Sequence, residues 1–479
     1  MSENNIQRSV TTQTARKLAN TTKTAPQMGS ITPRLLLKLL PWVQVESGTY
    51  RVNRTKVELR KAERIQINYL DGVPSFSAKS LRRIPLFSRI DETVVSRLAR
   101  RFVTEEVALG DYLIKEGEGR QKFFIVADGQ AEVIRRGIHG EELRIALLNT
   151  GEYFGEADLL SDQPASVSVR TITPAVFLSL QREELETLTK EIPEFRQQFQ
   201  QAVDEHLRLR ATVNDHGEKH IDLVSGAEED NIIPETYIDY EEQPTEYSLN
   251  TLQTIVRVHT RVSDLYNNPF NQLEQQLRLS IESLKERQEW ELINNRKFGL
   301  LAAADPSARV SARYGAPTPD DLDELISLVW KEPSFFIANP RAIAAFEREC
   351  TWRGVPPVTL DIFGTKVITW RGIPLIPSDK VEVKGQYLTN RGVGTTEIIL
   401  VRVGEKNQGV VGLHQTGIPG EIAPSLSARL MGLDKYGVAS YLLTKYFSLA
   451  SLTDDAIAVL ENVEVGYYHD YQHRNQIEK

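Results

Sequence analysis

Two stretches of opposite charge, far apart in the chain, limit the fold more than any other feature. Residues 50–69, YRVNRTKVELRKAERIQINY, carry Arg51, Arg54, Lys56, Arg60, Lys61 and Arg64 against Glu58 and Glu63. Residues 222–246 hold nine acidic side chains, from Asp222 to Glu246, and no Lys or Arg. The basic stretch alternates like a strand in places, at Val57 and Leu59 and again at Ile65, Ile67 and Tyr69. Two such strands side by side gain roughly 0.2–1 kcal/mol per good cross-strand pair. Their pairing would make everything between them an insertion at the tip of a long hairpin. A solvated acidic linker is the other reading that the charges allow.

A chain of 479 residues is too long for one ordinary core, and two or three domains are expected. Hydrophobic content of 41% and charged content of 25% belong to a globular protein. The net charge of -8 argues against a nucleic-acid partner and against an anionic membrane surface. Cys350 is the single cysteine, can form no intramolecular disulfide, and is expected as a buried small apolar residue. LLLKLL at 35–40 is too short for a signal-peptide core, and YGVASYLLTKYFSLASL at 436–452 is too short for a span and contains Lys445. These features predict a cytoplasmic protein.

Residues 1–30 are rich in Thr, Gln and Asn and show no apolar period; they predict a loose tail or an arm ordered only against neighbouring subunits. Asn268 and Pro269 have the chemistry of a helix start, as N-cap and first helical residue. Leu273, Leu277, Ile281 and Leu284 follow on one face, and the pattern continues past Leu292, which predicts one long amphipathic helix. From about 304 to 466, helix signals such as DDLDELISLVW mix with strand signals such as TTEIILVRV, an α+β pattern.

Between Leu81 and about Arg210 the style changes. A helix over SRIDETVVSRLARRF precedes short β runs punctuated by Gly110, Gly117, Gly129 and Gly151, and a second helix begins at REELETLTK. Such spacing predicts a compact β-roll. The segments GDYLIKEGEGRQKFFIVADGQAEVIRR and GEYFGEADLL resemble the cyclic-nucleotide-binding domain over about 140 residues. That resemblance implies a phosphate cradle at Phe154, Gly155, Glu156, Ala157 and Ser166: backbone N–H groups for a cyclic phosphate, and the Glu156 carboxylate for a ribose hydroxyl. Cyclic AMP or cyclic GMP would be the ligand class. The family's arginine follows the proline, where this chain has Ala165 after Pro164. Loss of that charge-assisted contact costs on the order of 1.5–3 kcal/mol, about one to two decades in affinity. Arg170 is the nearest substitute, but alternation with Val167 and Val169 turns it to the opposite side. A Gly-Glu turn retained for the fold of the roll is therefore the favoured reading.

A second resemblance covers nearly everything outside this cassette. LDELISLVWKEPSFFIANPRAIAAFERECTWRGVPP, ITWRGIPLIPSDKV, VRVGEKNQGVVGLHQTGIPGEIAPSLSARLMGLDKYGVASYL and LTDDAIAVLENVEVG are similar to family 2 encapsulin shell proteins, as is the arm TPRLLLKLLPWVQVESGTYRVNR. Members with an inserted cyclic-nucleotide-binding domain are called family 2B. The resemblance implies the α+β fold of tailed-phage major capsid proteins, HK97-like, with an inserted β-roll projecting outward. Its parts would be an N-terminal arm and the start of the peripheral domain (1–49), the outgoing strand of the extended loop (50–75), the cassette (76–221) and the loop's return (222–250). A peripheral domain with the spine helix (251–319), an axial domain (320–450) and a peripheral end with C-terminal tail (451–479) would follow. It implies self-assembly into an icosahedron of about sixty copies around a cargo enzyme, here expected from isoprenoid metabolism as a terpene cyclase or polyprenyl transferase. A second shell protein as co-assembling partner is left open.

Other constellations carry less. His216 and His220 in HGEKH have the spacing of a metal pair without a third ligand. RGVGTTE at 391–397 lacks the ending of a phosphate loop. Asp320, Asp321, Asp323 and Glu324 precede an apolar helix and are expected to cap it and oppose its dipole. Asp379, Arg429, Asp434 and Lys435 are either ordinary loop charges or pore-lining ones in a shell. No acid, base and nucleophile assemble into an enzyme. The remaining alternative is a regulatory protein governed by its cassette. A transcription regulator of that kind would place a basic recognition helix where the acidic run lies.

Overall fold

The computed structural model describes residue 13 and residues 26–259 and 272–466, apart from 47, 58–63, 71–72, 85–86, 89, 119–121, 137–141, 156–164, 166, 185–186, 188–196, 198–200, 202–207, 209–211, 215–216, 225–233 and 386–393. Two compact units emerge. The first comprises Met1–Val52, Thr245–Ala308 and Ala316–Lys479, and the second Asn53–Pro244 with Arg309–Gly315.

The chain leaves the first unit and returns to it through a hairpin. Thr49–Val52 pairs antiparallel with Thr245–Ser248, opposing Val52 to Thr245 and Arg51 to Glu246, whose side chains meet at 2.7 Å. Within the second unit the same two strands continue as a Thr55–Tyr240 bridge, with the Lys56 N–H donating to the Asp239 carbonyl. Residues 58–63 of the basic stretch lie outside the described residues. Ile67–Leu70 turns back on Val73–Phe76, and Ile65 packs among cassette residues such as Phe123 and Leu180. Ile65 and Ile67 thus meet their apolar demand on the roll.

One sheet of the first unit runs Trp42–Gln44, Val410–His414, Val438–Ser451, Leu426–Leu433 and Glu421–Ala423, with Asn250–His259 also on Val438–Ser451. The apolar run flagged at 436–452 is thus a strand paired along much of its length, not a helix. No helix among the described residues is long and apolar enough to cross a membrane. The helix Gln272–Asn294 lays Leu273, Leu277, Ile281 and Leu284 on Val256, Val258, Leu426 and Leu443 of this sheet. Its expected cap at Asn268 and Pro269 lies outside the described residues. The first unit's strands of a second, seven-stranded sheet run in the order Ile457–Glu464, Thr395–Val401, Phe335–Ala338, Ile373–Pro377, Thr365–Trp370 and Val358–Ile362. Its central strands are apolar on both faces because helices and the first sheet's surroundings cover them, as the fully buried FFIA of 335–338 shows.

Helix starts here follow local chemistry. Thr318 and Asp321 form a reciprocal capping box ahead of Pro319–Leu328. The acidic cluster therefore does serve the helix, while Asp323 binds Arg371 at 2.9 Å and accepts from the Trp370 indole. Asn339 caps Pro340–Arg353, which holds Cys350 in the core, where burial pushes the thiol up to about 12. Two buried polar groups sit deeper. Arg402 is fully buried and donates to Asp455 at 2.6 Å and to Thr453 at 2.9 Å. Glu286 ties three segments together: it accepts from the Thr32 N–H and faces Arg34 and Lys380.

Candidate functional site: the cradle of the inserted roll

The second unit stacks two sheets. One runs Tyr153–Phe154, Lys122–Asp128, Ala175–Gln181 and Val103–Val107; the other runs Tyr112–Ile114, Ser168–Thr171, Ala131–Arg136 and Glu142–Leu148. Lys122–Asp128 shows why this sequence makes a roll. Phe124 and Val126 face the interior with Phe154, Val169 and Phe177, whereas Phe123, Ile125 and Ala127 face helices 78–81 and 92–99. Asp91 caps the second of these helices, accepting from the Thr93 N–H at 2.8 Å.

The strand Tyr153–Phe154 delivers the chain to the cradle. Phe154 is 8% exposed and stacks on Phe124 at 5.0 Å, with Phe177 edge-on. Its ring is core and anchors the backbone that presents Gly155. Gly155 has φ 86°, a left-handed conformation that side chains disfavour. Glu156, Ala157 and Ser166 lie outside the described residues.

Ala165 is 4% exposed. Its N–H donates to the Glu118 carbonyl at 2.9 Å and its carbonyl accepts from Gly117 at 2.8 Å, so the position is stitched to the 117–118 turn. Arg170 does not take over. Val169 is buried while Arg170 points the other way, to Glu132 at 2.6 Å and Glu142 at 3.3 Å, over the Tyr112 ring at 5.6 Å. The Glu132 hydrogen bond is the main cause that raises its pKa. That cation is committed to the outer face of the sheet.

Elsewhere, a cleft of about 210 Å³ in the second unit is lined by Lys56, Glu218, His220, Ile238 and neighbours. His220 is exposed there, and His216 lies outside the described residues. Among the described residues no three His, Cys, Asp or Glu side chains gather as a metal site. In the first unit, Asp379 holds Lys380, Asp434 accepts from the N–H groups of Tyr436 and Val438, Arg429 donates to the Pro419 carbonyl, and Lys435 lies over Tyr436. Sequence reasoning missed Gln130 and Asn149, buried polar residues behind the cradle strand, because lone amides carry no spacing signal.

Comparison with known proteins separates the same two parts. Residues 206–467 match the family model described as type 2A encapsulin shell protein, SrpI-like, and residues 104–191 match the cyclic nucleotide-binding domain. The type 2A encapsulin shell protein SrpI of Synechococcus elongatus is 55% identical over 253 residues, 53% of this chain and 80% of that protein. The solved holo-SrpI encapsulin complex from the same organism is 35% identical with a TM-score of 0.54, covering 97% of this chain and 99% of that one. The cAMP-dependent protein kinase regulatory subunit of Blastocladiella emersonii is 36% identical over 90 residues, 19% of this chain and 22% of that protein.

Proposed function

Because the chain belongs to the SrpI-like family of type 2 encapsulin shell proteins, we propose that it is a structural subunit that self-assembles into a closed nanocompartment, of about sixty copies. The observation that carries this reading is the outer end of the strand Leu426–Leu433. Beyond Ala428 every residue of it is exposed, with Leu430 at 56%, Met431 at 58%, Leu433 at 63% and nearby Tyr436 at 58%. A monomer would leave this apolar run in water; a neighbouring copy would cover it. The body supplies surfaces for assembly.

The inserted cyclic-nucleotide-binding domain fits the 2B arrangement, although the shell relatives are described as 2A. Supporting this, the alignment with SrpI takes up 80% of that protein in 253 residues, while the cassette at 104–191 matches a separate family. The compartment works in the cytoplasm and encloses an enzyme of isoprenoid metabolism, a reading supported by the sequence resemblance alone. The cassette gates or tethers, projecting from the extended loop. Its cradle binds cyclic AMP or GMP weakly, since Ala165 replaces the phosphate-binding arginine and Arg170 is held by Glu132.

Negative-stain electron microscopy of the chain expressed alone tests assembly: uniform hollow particles are expected, and monomers or dimers at high concentration overturn it. Calorimetry with cyclic AMP and cyclic GMP tests the cradle separately. Ala165→Arg is expected to tighten binding about ten- to hundredfold; no binding by either protein removes nucleotides from the account.

A further inference from the structure

Arg309–Gly315 lies in the chain between two segments of the first unit, yet it clusters with the second. A buried polar contact explains why. Gln130, 1% exposed, donates from Nε2 to the Ser311 carbonyl at 2.7 Å and to Asn149 Oδ1 at 2.9 Å. The Arg64 guanidinium donates to the Arg309 carbonyl and faces Glu152 at 3.9 Å.

Asn149 and Glu152 are the two ends of the turn that leads into the cradle strand. The Asn149 N–H donates to the Glu152 carboxylate at 2.6 Å, and the Glu152 N–H returns to the Asn149 carbonyl at 3.0 Å. Between them Gly151 has φ 86°, and a Cβ there would meet the Ile65 carbonyl at 2.7 Å. The Ile65 N–H donates to the Gly151 carbonyl at 2.7 Å, so this turn is packed directly against the segment that carries Arg64. Tyr153, Phe154 and Gly155 follow at once.

We propose that Arg309–Gly315 is the read-out segment of the cassette: an event that displaces the 149–155 turn is passed to it through Gln130 and Arg64. The amide of Gln130 has its two acceptors on different segments, and its Oε1 is already buried without a partner among the described residues. A shift that separates Asn149 from Ser311 strands another buried polar group, so the two segments move together or not at all. Past Gly315 the chain runs directly to Thr318 and the capping box of Pro319–Leu328, which lie in the first unit. The inference depends neither on which ligand the cradle takes nor on shell assembly.

Hydrogen–deuterium exchange on the full-length chain tests it. Gln130→Met keeps the side-chain length and removes both donations; Arg64→Met removes the other contact. In each variant, peptides covering 309–315 and 149–155 are expected to exchange about fivefold faster, the factor for one net hydrogen bond. Peptides covering 410–414 and 438–451 stay unchanged. Gly155→Ala strains the far end of the turn without touching the contact. It should speed exchange at 309–315 in the otherwise unaltered chain and add nothing in the Gln130→Met background. Unchanged exchange at 309–315 in the folded variants overturns the proposal, as do additive effects of Gly155→Ala and Gln130→Met, which mean that no signal passes. If Gln130→Met does not fold, Arg64→Met with Gly155→Ala decides in the same way.

Discussion

Two buried acids carry opposite pH signatures. Glu289 is 2% exposed on the helix Gln272–Asn294, and burial pushes its carboxyl up to about 7, with Lys380 opposing and Glu286 reinforcing the shift. Its folded pKa lies above the ordinary value of 4.5, so its contribution to stability is complete below that value and is lost as pH rises through about 7. The gap corresponds to about 3 kcal/mol. Denaturant midpoints measured from pH 5 to 8 are expected to fall, and Glu289→Gln is expected to flatten that slope. For Asp455, burial works against the charged form, but hydrogen bonds from Arg402, Lys331 and Thr453 outweigh it and hold the carboxyl well below the usual range. Its contribution is therefore present at neutral pH and lost only in strong acid. Arg402→Met removes the main partner of that carboxylate and is expected to cost about 3 kcal/mol at pH 7 by chemical denaturation, Lys331 retaining part of the pairing.

The elements divide by what makes them legible in a sequence. The helix Gln272–Asn294 was readable because Leu273, Leu277, Ile281 and Leu284 repeat at the helical period, and the sheet beneath takes up that stripe. The cradle strand was readable from a short local motif, since Gly155 needs no distant partner to declare its conformation. The ring of Phe154 lies against Phe124, and nothing in a single residue type separates a ring facing a pocket from one facing the core. The contact of Gln130 with Ser311 joins residues 181 positions apart and leaves no periodic trace. Arg402 ends an apolar strand and gives no sign that it turns inward to Asp455. The exposed end of Leu426–Leu433 is the converse case, an apolar run that no element among the described residues covers. Met431→Glu puts a charge in that run, so particles are expected to give way to small species in electron microscopy and light scattering. Because Met431 is 58% exposed, unfolding of the subunit should shift by less than about 0.5 kcal/mol.

At the scale of the whole molecule, the question is what the shell needs from its insertion. The hairpin register gives a clean cut: Val52 opposes Thr245 at the last pair of the first unit's ribbon. Replacing Asn53–Pro244 with Asn-Gly closes that pair with the two-residue turn that best matches strand twist. The strand ends already lie side by side, so closure imposes little new loop entropy. The shortened chain should keep the sheet built on Val438–Ser451 and the helix across it, because the residues of that contact all lie in the first unit. It should therefore still form hollow particles of unchanged diameter by electron microscopy. What it loses is the hold of Gln130 and Arg64 on Arg309–Gly315, so that segment should exchange faster than in the full-length chain. Particles with a loosened 309–315 would separate the shell-forming body from a module that reports to it. Failure to assemble, with the subunit folded, would instead make the cassette, or the loop strands that carry it, a part of the contacts between copies.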